Sequence, residues 1–306
     1  MICSYNEWSP LRKVIVGDAS DANWPVNDPV FKLEGSKTTW KETPVPRGPV
    51  PQRIIEETNQ DLDTLATTLR SLGVEVLRPE PLNFQTHDGM YNYCPRDRLL
   101  VHGNTIVNPA MMYPCRDMEL QCYHDIVDAV ENYHFMPRNE GMTLDAANVC
   151  RLGKDKMLFL ESASGNRKAY EWLCSVFPDV TIELCNFYAG VHIDSTVVPL
   201  REGLVLLNGS RVTESNCPKV FDDWEKIFVD DVESQDFYQY PYASKWIGLN
   251  MLSVDPTTVI LDQRQISLAR LLEKKGFTTI PMDLRHSRTL GGGFHCVTLD
   301  LWRQHD

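Results

Sequence analysis

The sequence predicts an α/β fold in which one small unit repeats around an axis. Short apolar strand pairs alternate with helical patterns, and that alternation argues α/β. The order hairpin, helix, strand recurs about five times along the chain. No Gly-x-Gly-x-x-Gly fingerprint follows an early strand, which weakens an open doubly wound sheet. Radial repetition protects sheet edges and leaves a central channel.

The elements follow in order. Lys13-Val14-Ile15-Val16-Gly17 reads as a strand closed by glycine. Residues 25–51, rich in proline and polar groups, read as a long surface loop. Ile54, Ile55, Leu62, Leu65, Leu69 and Leu72 fall at helical spacing, Gly73 stops that helix, and 74–77 resumes a strand. A hairpin spans 98–107, and Met118 to Val130 reads as helix. A second hairpin, 144–160, turns at Gly153-Lys154-Asp155, before a helix at 165–176 and a strand at 180–184. A third runs from His192 to Leu207, and a fourth spans 249–262. Helix 266–275 and strand 277–281 lead to Gly291-Gly292-Gly293-Phe294-His295-Cys296, where the apolar stretch from Cys296 to Leu301 reads as a strand.

Composition bounds the function. The chain has 306 residues, 42% hydrophobic and 24% charged, ordinary for a globular protein with a large core. One domain over residues 1–306 is expected, since closed α/β folds of this size are often single. A net charge of −12, a pI near 5.1 and no basic run argue against nucleic acid or anionic lipid as partner. The first residues lack the basic start and apolar core of a signal peptide, and no apolar stretch reaches membrane-spanning length. Nine cysteines without regular spacing read as free thiols of a cytoplasmic protein. Cys115, Cys122 and His124 lack a paired Cys-x-x-Cys knuckle, so no zinc site is expected there.

The glycine run carries the chemistry. It places the Cys296 thiol where a permissive loop meets a rigid strand, a setting that suits a nucleophile. Polar groups stand near three other hairpin starts: Asp97, Asp145, and His192 with Asp194. In a radial repeat, equivalent strand starts point at one axial site. Alternation along a strand would put His192 and Asp194 on one face and turn His295 away from Cys296. His192 is therefore the expected base. Carboxylates around a thiol raise its pKa, a poor arrangement unless the substrate brings positive charge. A guanidinium does so and matches carboxylates through paired hydrogen bonds.

These segments resemble the arginine amidinotransferases of the guanidine-modifying pentein superfamily. The resemblance is carried by Ser4 to Leu11, Pro95-Arg96-Asp97, Leu144 to Asn148, His192 to Thr196, Ser244-Lys245-Trp246 and Gly291 to Cys296, in the family's order. It implies a five-bladed α/β propeller, the pentein fold. By position it implies Cys296 as nucleophile, His192 as general acid/base and Asp145 as its orienting partner. Asp97 and Asp194 would bind guanidinium nitrogens, Arg211 the donor's α-carboxylate, and Ser244 a further part of the substrate. Ala189 and Val191 occupy positions that select the acceptor. The chain is short for the family, and its end lacks the usual paired arginines.

The implied reaction moves the amidino group of L-arginine to a small primary amine and releases ornithine. It calls for no metal or organic cofactor, because every step uses protein groups. Family precedent points to a homodimer. Two other readings remain open from residues alone: hydrolysis of arginine at the same site, and a binding propeller without chemistry.

Overall fold

The computed structural model describes residues 2–31 and 44–305. Its strands form five three-stranded sheets of one design. An inner strand pairs antiparallel with a middle strand, which pairs parallel with an outer one. The second sheet is Leu100–His102, Thr105–Asn108 and Asn132–Phe135. The third is Val149–Gly153, Lys156–Leu160 and Thr181–Cys185. The fourth is Val197–Arg201, Leu204–Asn208 and Glu225–Val229. The fifth is Leu252–Asp255, Thr258–Asp262 and Thr278–Met282. In the first sheet the inner strand is Thr298–Arg303, paired with Leu11–Val16 and then Glu75–Leu77. The C-terminal strand thus closes the ring onto an N-terminal one.

Each parallel pairing demands a crossover on the sheet face. In the first, third and fifth sheets it is a helix: Gln52–Ser71, Arg167–Val176 and Ile266–Lys274. The helix Gln52–Ser71 buries Ile54, Ile55, Leu62, Leu65 and Leu69, the predicted stripe. The stretch read as helix over 118–130 is instead a 3-10 helix, Pro114–Tyr123, with a single α turn, His124–Val127. Pro114 starts it early, and Glu119 turns inward to bind Arg116, so helical apolar spacing does not govern this segment. The proline-rich stretch 25–51 is not wholly surface loop. Asn23–Trp24 pairs with Gly48–Pro49, and Trp24, Phe31 and Val50 are buried in the core. Residues 32–43 of that stretch lie outside the described residues. Among the described residues no helix is long and apolar enough to cross a membrane.

The ring axis is filled by charge. Arg151, on the third inner strand, donates to Glu7 Oε1 (2.9 Å) and Oε2 (2.6 Å), and to Asp300 Oδ2 on the first inner strand (2.8 Å). Arg96 reaches Asp300 Oδ1 (2.7 Å) and Glu7 Oε2 (3.3 Å). Arg303 bonds Asp300 Oδ2 (2.7 Å) and crosses to the Ser253 carbonyl of the fifth sheet (2.8 Å). Asp300 is wholly buried. Burial alone would raise its pKa, but Arg303, Arg96 and Arg151 hold the carboxyl far below the usual range.

Removing one partner from such a cluster leaves buried charge uncompensated. Asp300→Asn is expected to lower stability by about 3–5 kcal/mol, read as a fall in the urea midpoint at neutral pH. Because the folded pKa of Asp300 is depressed, its contribution is fully present above about pH 4, the unfolded value, and fades as pH falls below that toward the depressed folded value. The gap between variant and parent should therefore narrow in acid.

Candidate active site

The site is built from segments that precede the inner strands. Cys296 lies ahead of Thr298, Asp97 ahead of Leu100, Asp145 ahead of Val149, Asp194 ahead of Val197 and Asn250 ahead of Leu252. Each sheet therefore sends one residue from the loop before its inner strand to the same end of the axis. The local structure differs from the expected strand starts. Asp97 sits in a one-turn helix, Pro95–Arg98, and Asp145 precedes the 3-10 turn Ala146–Asn148. His192 and Asp194 stand in a turn before their strand, so strand alternation does not aim them. His192 has φ +60°, rare for a side chain with a Cβ and worth of order 1–3 kcal/mol of strain.

Cys296 likewise lies in a turn, not in the strand, which begins at Thr298. Val297 N donates to Gly293 O (3.0 Å) and Thr298 N to His295 O (3.2 Å). The glycines before it are required by packing. Gly291 has φ +85°. A Cβ on Gly293 would come within 2.7 Å of the Asn250 carbonyl.

Asn250 organises the loop that carries Cys296. Its Oδ1 accepts from His295 N and Cys296 N, both at 3.0 Å, and its Nδ2 donates to Cys296 Sγ at 3.1 Å. The thiol in turn donates to Asp194 Oδ2 at 3.1 Å. Contrary to the alternation argument, His295 does not turn away. Its Nδ1 lies 3.0 Å from the same Asp194 Oδ2, and its Nε2 lies 3.1 Å from Glu7 Oε2.

The imidazole of His192 is held by two carboxylates. Nε2 is 3.0 Å from Asp145 Oδ2 and Nδ1 is 3.6 Å from Asp97 Oδ1. Asp145 Oδ1 is fixed by Met112 N (2.8 Å), and Asp97 Oδ2 by Arg116 (2.8 Å). Burial works against the imidazolium, but Asp97, Asp145 and Asp194 outweigh it and lift His192 to about 9. Burial likewise opposes ionisation of Asp194, yet His295, His192 and the Cys296 thiol hold it at about 2. The thiol of Cys296 goes the other way. A hydrogen bond with Cys94, burial, and the charges of Asp194 and Asp97 push it well above the usual range. Two carboxylate oxygens in this cluster, Asp97 Oδ1 and Asp194 Oδ1, are buried with no hydrogen-bond partner among the described residues.

The remaining sequence-chosen residues lie around this core. Arg211 donates to Thr196 Oγ1 (2.7 Å), and its guanidinium lies 3.9 Å from the centre of the Tyr188 ring. The Tyr188 hydroxyl bonds the carbonyls of Val191 and His192. Ala189 and Val191 are exposed on that loop. Ser244 is partly buried at the start of a 3-10 helix, Lys245–Leu249, and its side chain makes no capping bond. Sequence reasoning missed Asn250, Cys94 and Glu7, and set His295 aside. Asn250 was reachable, because it occupies the fifth equivalent place before an inner strand.

The larger concavities lie elsewhere. One of about 500 Å³ borders Arg78 and Tyr123, and one of about 640 Å³ lies among hairpin tips near Lys154 and Trp224. Directly beside the site is a cavity of about 20 Å³ touched by Glu7, Asp194 and His295. The titratable groups converge on the small cavity, away from these two larger ones. Among the described residues no group of three or more His, Cys, Asp or Glu side chains is arranged to hold a metal ion.

No family model matches the chain. It is 39% identical to inosamine-phosphate amidinotransferase 1 of Streptomyces griseus, over 99% of this chain and 97% of that one. It is 28% identical to the mitochondrial glycine amidinotransferase of Xenopus tropicalis, over 99% of this chain and 83% of that one. The solved structure of inosamine-phosphate amidinotransferase from Streptomyces griseus superposes with a TM-score of 0.93 at 38% identity, covering 100% of this chain and 98% of that chain. A ring of five like sheets, near-complete alignment and identity well above 30% place this chain among the amidinotransferases.

Proposed function

We propose that the donor is L-arginine and the acceptor a small primary amine, with Cys296 carrying the amidino group between them. The observation that carries this reading is a pair of buried carboxylate oxygens, Asp97 Oδ1 and Asp194 Oδ1, that accept no hydrogen bond among the described residues, the first 3.6 Å from His192 Nδ1 and the second on the carboxylate that meets the thiol. An unsatisfied buried carboxylate oxygen is costly, and a planar guanidinium supplies donors in the matching geometry. Arg211, which hydrogen-bonds Thr196 beside Asp194, supplies a fork for the amino acid's carboxylate.

The electrostatics explain the order of events. Cys296 is hard to ionise on its own, because it shares a buried site with Cys94, Asp194 and Asp97. An arriving guanidinium cancels that field and favours the thiolate, its proton passing to solvent by way of Asp194, and Asn250 Nδ2 also supports the anion by donation. The thiolate attacks the guanidinium carbon. The tetrahedral centre collapses by breaking the bond from that carbon to Nε, and His192 gives its proton to the departing nitrogen. His192 starts protonated at neutral pH, as this step requires. Ornithine leaves, and the amidino group stays on sulfur. The acceptor amine then loses a proton to the now neutral His192 and attacks the same carbon, expelling the thiolate. Proton transfer of this kind contributes about 10²–10⁴-fold. One site serving two amines in turn makes the kinetics ping-pong. Relatives named for inosamine phosphate and for glycine support a primary amine as acceptor.

Incubation with arginine alone should give one amidino adduct by intact mass, located on Cys296, with stoichiometric ornithine. Cys296→Ser should give neither. An unmodified protein with its thiol intact would overturn the reading, and sustained citrulline or urea release without an amine would turn it toward hydrolysis.

For the arginine half-reaction, kcat/KM should decline on the alkaline side near the His192 value of about 9. Asp145→Asn removes a carboxylate that favours the imidazolium, so that limb should move to lower pH. An unmoved limb would assign it to another group. Val191 is exposed on the loop beside His192. Val191→Phe is expected to slow transfer to bulky amines while leaving the ornithine burst near its parent rate, as product masses across an amine panel would show.

A further inference from the structure

We propose that His295, tethered by Glu7, is a positioning residue for Asp194, holding one oxygen of that carboxylate on the Cys296 thiol so that the other faces the guanidinium. The inference deepens the reading of arginine as donor and rests on it.

Four contacts form a continuous chain. Arg151 grips Glu7 through both carboxylate oxygens, at 2.9 and 2.6 Å. Glu7 Oε2 meets His295 Nε2 at 3.1 Å. His295 Nδ1 meets Asp194 Oδ2 at 3.0 Å, and that oxygen accepts from Cys296 Sγ at 3.1 Å. The backbone of His295 is anchored as well, its N–H on Asn250 Oδ1 (3.0 Å) and its carbonyl on Arg96 Nε (2.9 Å). A carboxylate only accepts, so each ring nitrogen faces an acceptor. An imidazole kept for packing alone has no need of a carboxylate at each nitrogen.

The consequence is geometric. Asp194 rotates about its side-chain bonds, and its partners among the described residues are His295 and the thiol it must later release. Once sulfur attacks, only His295 still holds Oδ2. Without it, the carboxylate that faces the guanidinium loses its register. The charged groups facing this chain are His192 and Cys296 at Asp194, and Arg96 and Arg151 at Glu7.

Two near-isosteric variants separate the contacts. His295→Asn keeps an amide donor near the Nδ1 position and gives up Glu7. His295→Gln reaches toward Glu7 and gives up Asp194. Single-turnover ornithine release from arginine should fall only modestly in His295→Asn, which loses the Glu7 tether but keeps a donor for Asp194. In His295→Gln it should fall on the order of a hundredfold, the scale of a misplaced catalytic group. A second readout needs no donor: the pH profile of Cys296 alkylation by iodoacetamide, followed on the Cys296 peptide. Asp194 raises the thiol pKa, so releasing it should move the profile to lower pH in His295→Gln and leave it in place in His295→Asn. The reverse order of the two variants, or equal loss with an unmoved alkylation profile, would overturn the assignment. A parent enzyme that releases no ornithine would sink the arginine reading instead, and the alkylation profiles would still decide the role of His295.

Discussion

A ring of five sheets leaves an axis that must be filled, and here buried charge fills it. Arg96, Arg151 and Arg303 surround Glu7 and Asp300, and together they bind the first, third and fifth inner strands to one another. Such clusters gain little over well-packed apolar side chains, because desolvation offsets the attraction. What they add is direction. Each guanidinium presents donors in a fixed plane, so the inner strands lock at one height and one rotation. An apolar plug would tolerate sliding. The loops above the axis hold at most single helical turns and inherit their positions from this lock.

The site follows from that inheritance. Five loops of different local structure deliver Cys296, Asp97, Asp145, Asp194 and Asn250 to one end of the ring. The electrostatics then divide the work. His192 lies among carboxylates and holds its proton, and Cys296, among the same acids, holds its own for the same reason, so one group stays a cation and the other stays a neutral thiol. A cation entering this field eases ionisation of the thiol and leaves a proton on the imidazole. A neutral molecule of the same shape would leave the thiol closed, so selectivity for positive charge and activation of sulfur are one effect.

Much of this was legible in the sequence, and the failures have physical causes. Periodicity exposed the repeating unit because each strand pair is short, apolar and bounded by turn residues. The helix over 118–130 was misread because Met118, Leu120 and Ile126 mimic a stripe, while Glu119 is spent inside on Arg116. His295 was set aside on strand alternation, a rule that fails in the turn where it sits. Asn250 carries no charge and stands in no run, so only its place in the repeat could have marked it. The axial cluster was invisible, since Arg151 lies 144 residues from Glu7 and 149 from Asp300. No local pattern records a partnership of that span.

The first sheet joins Leu11–Val16 to Thr298–Arg303, two strands from opposite ends of the sequence. During synthesis the opening strand must wait, its inner edge unpaired, while four complete sheets emerge behind it. Contacts of such long sequence separation are slow to form. The strand that finally seals the ring directly follows the loop bearing Cys296. A nascent chain therefore holds no assembled thiol centre, and reactivity arrives together with topological closure.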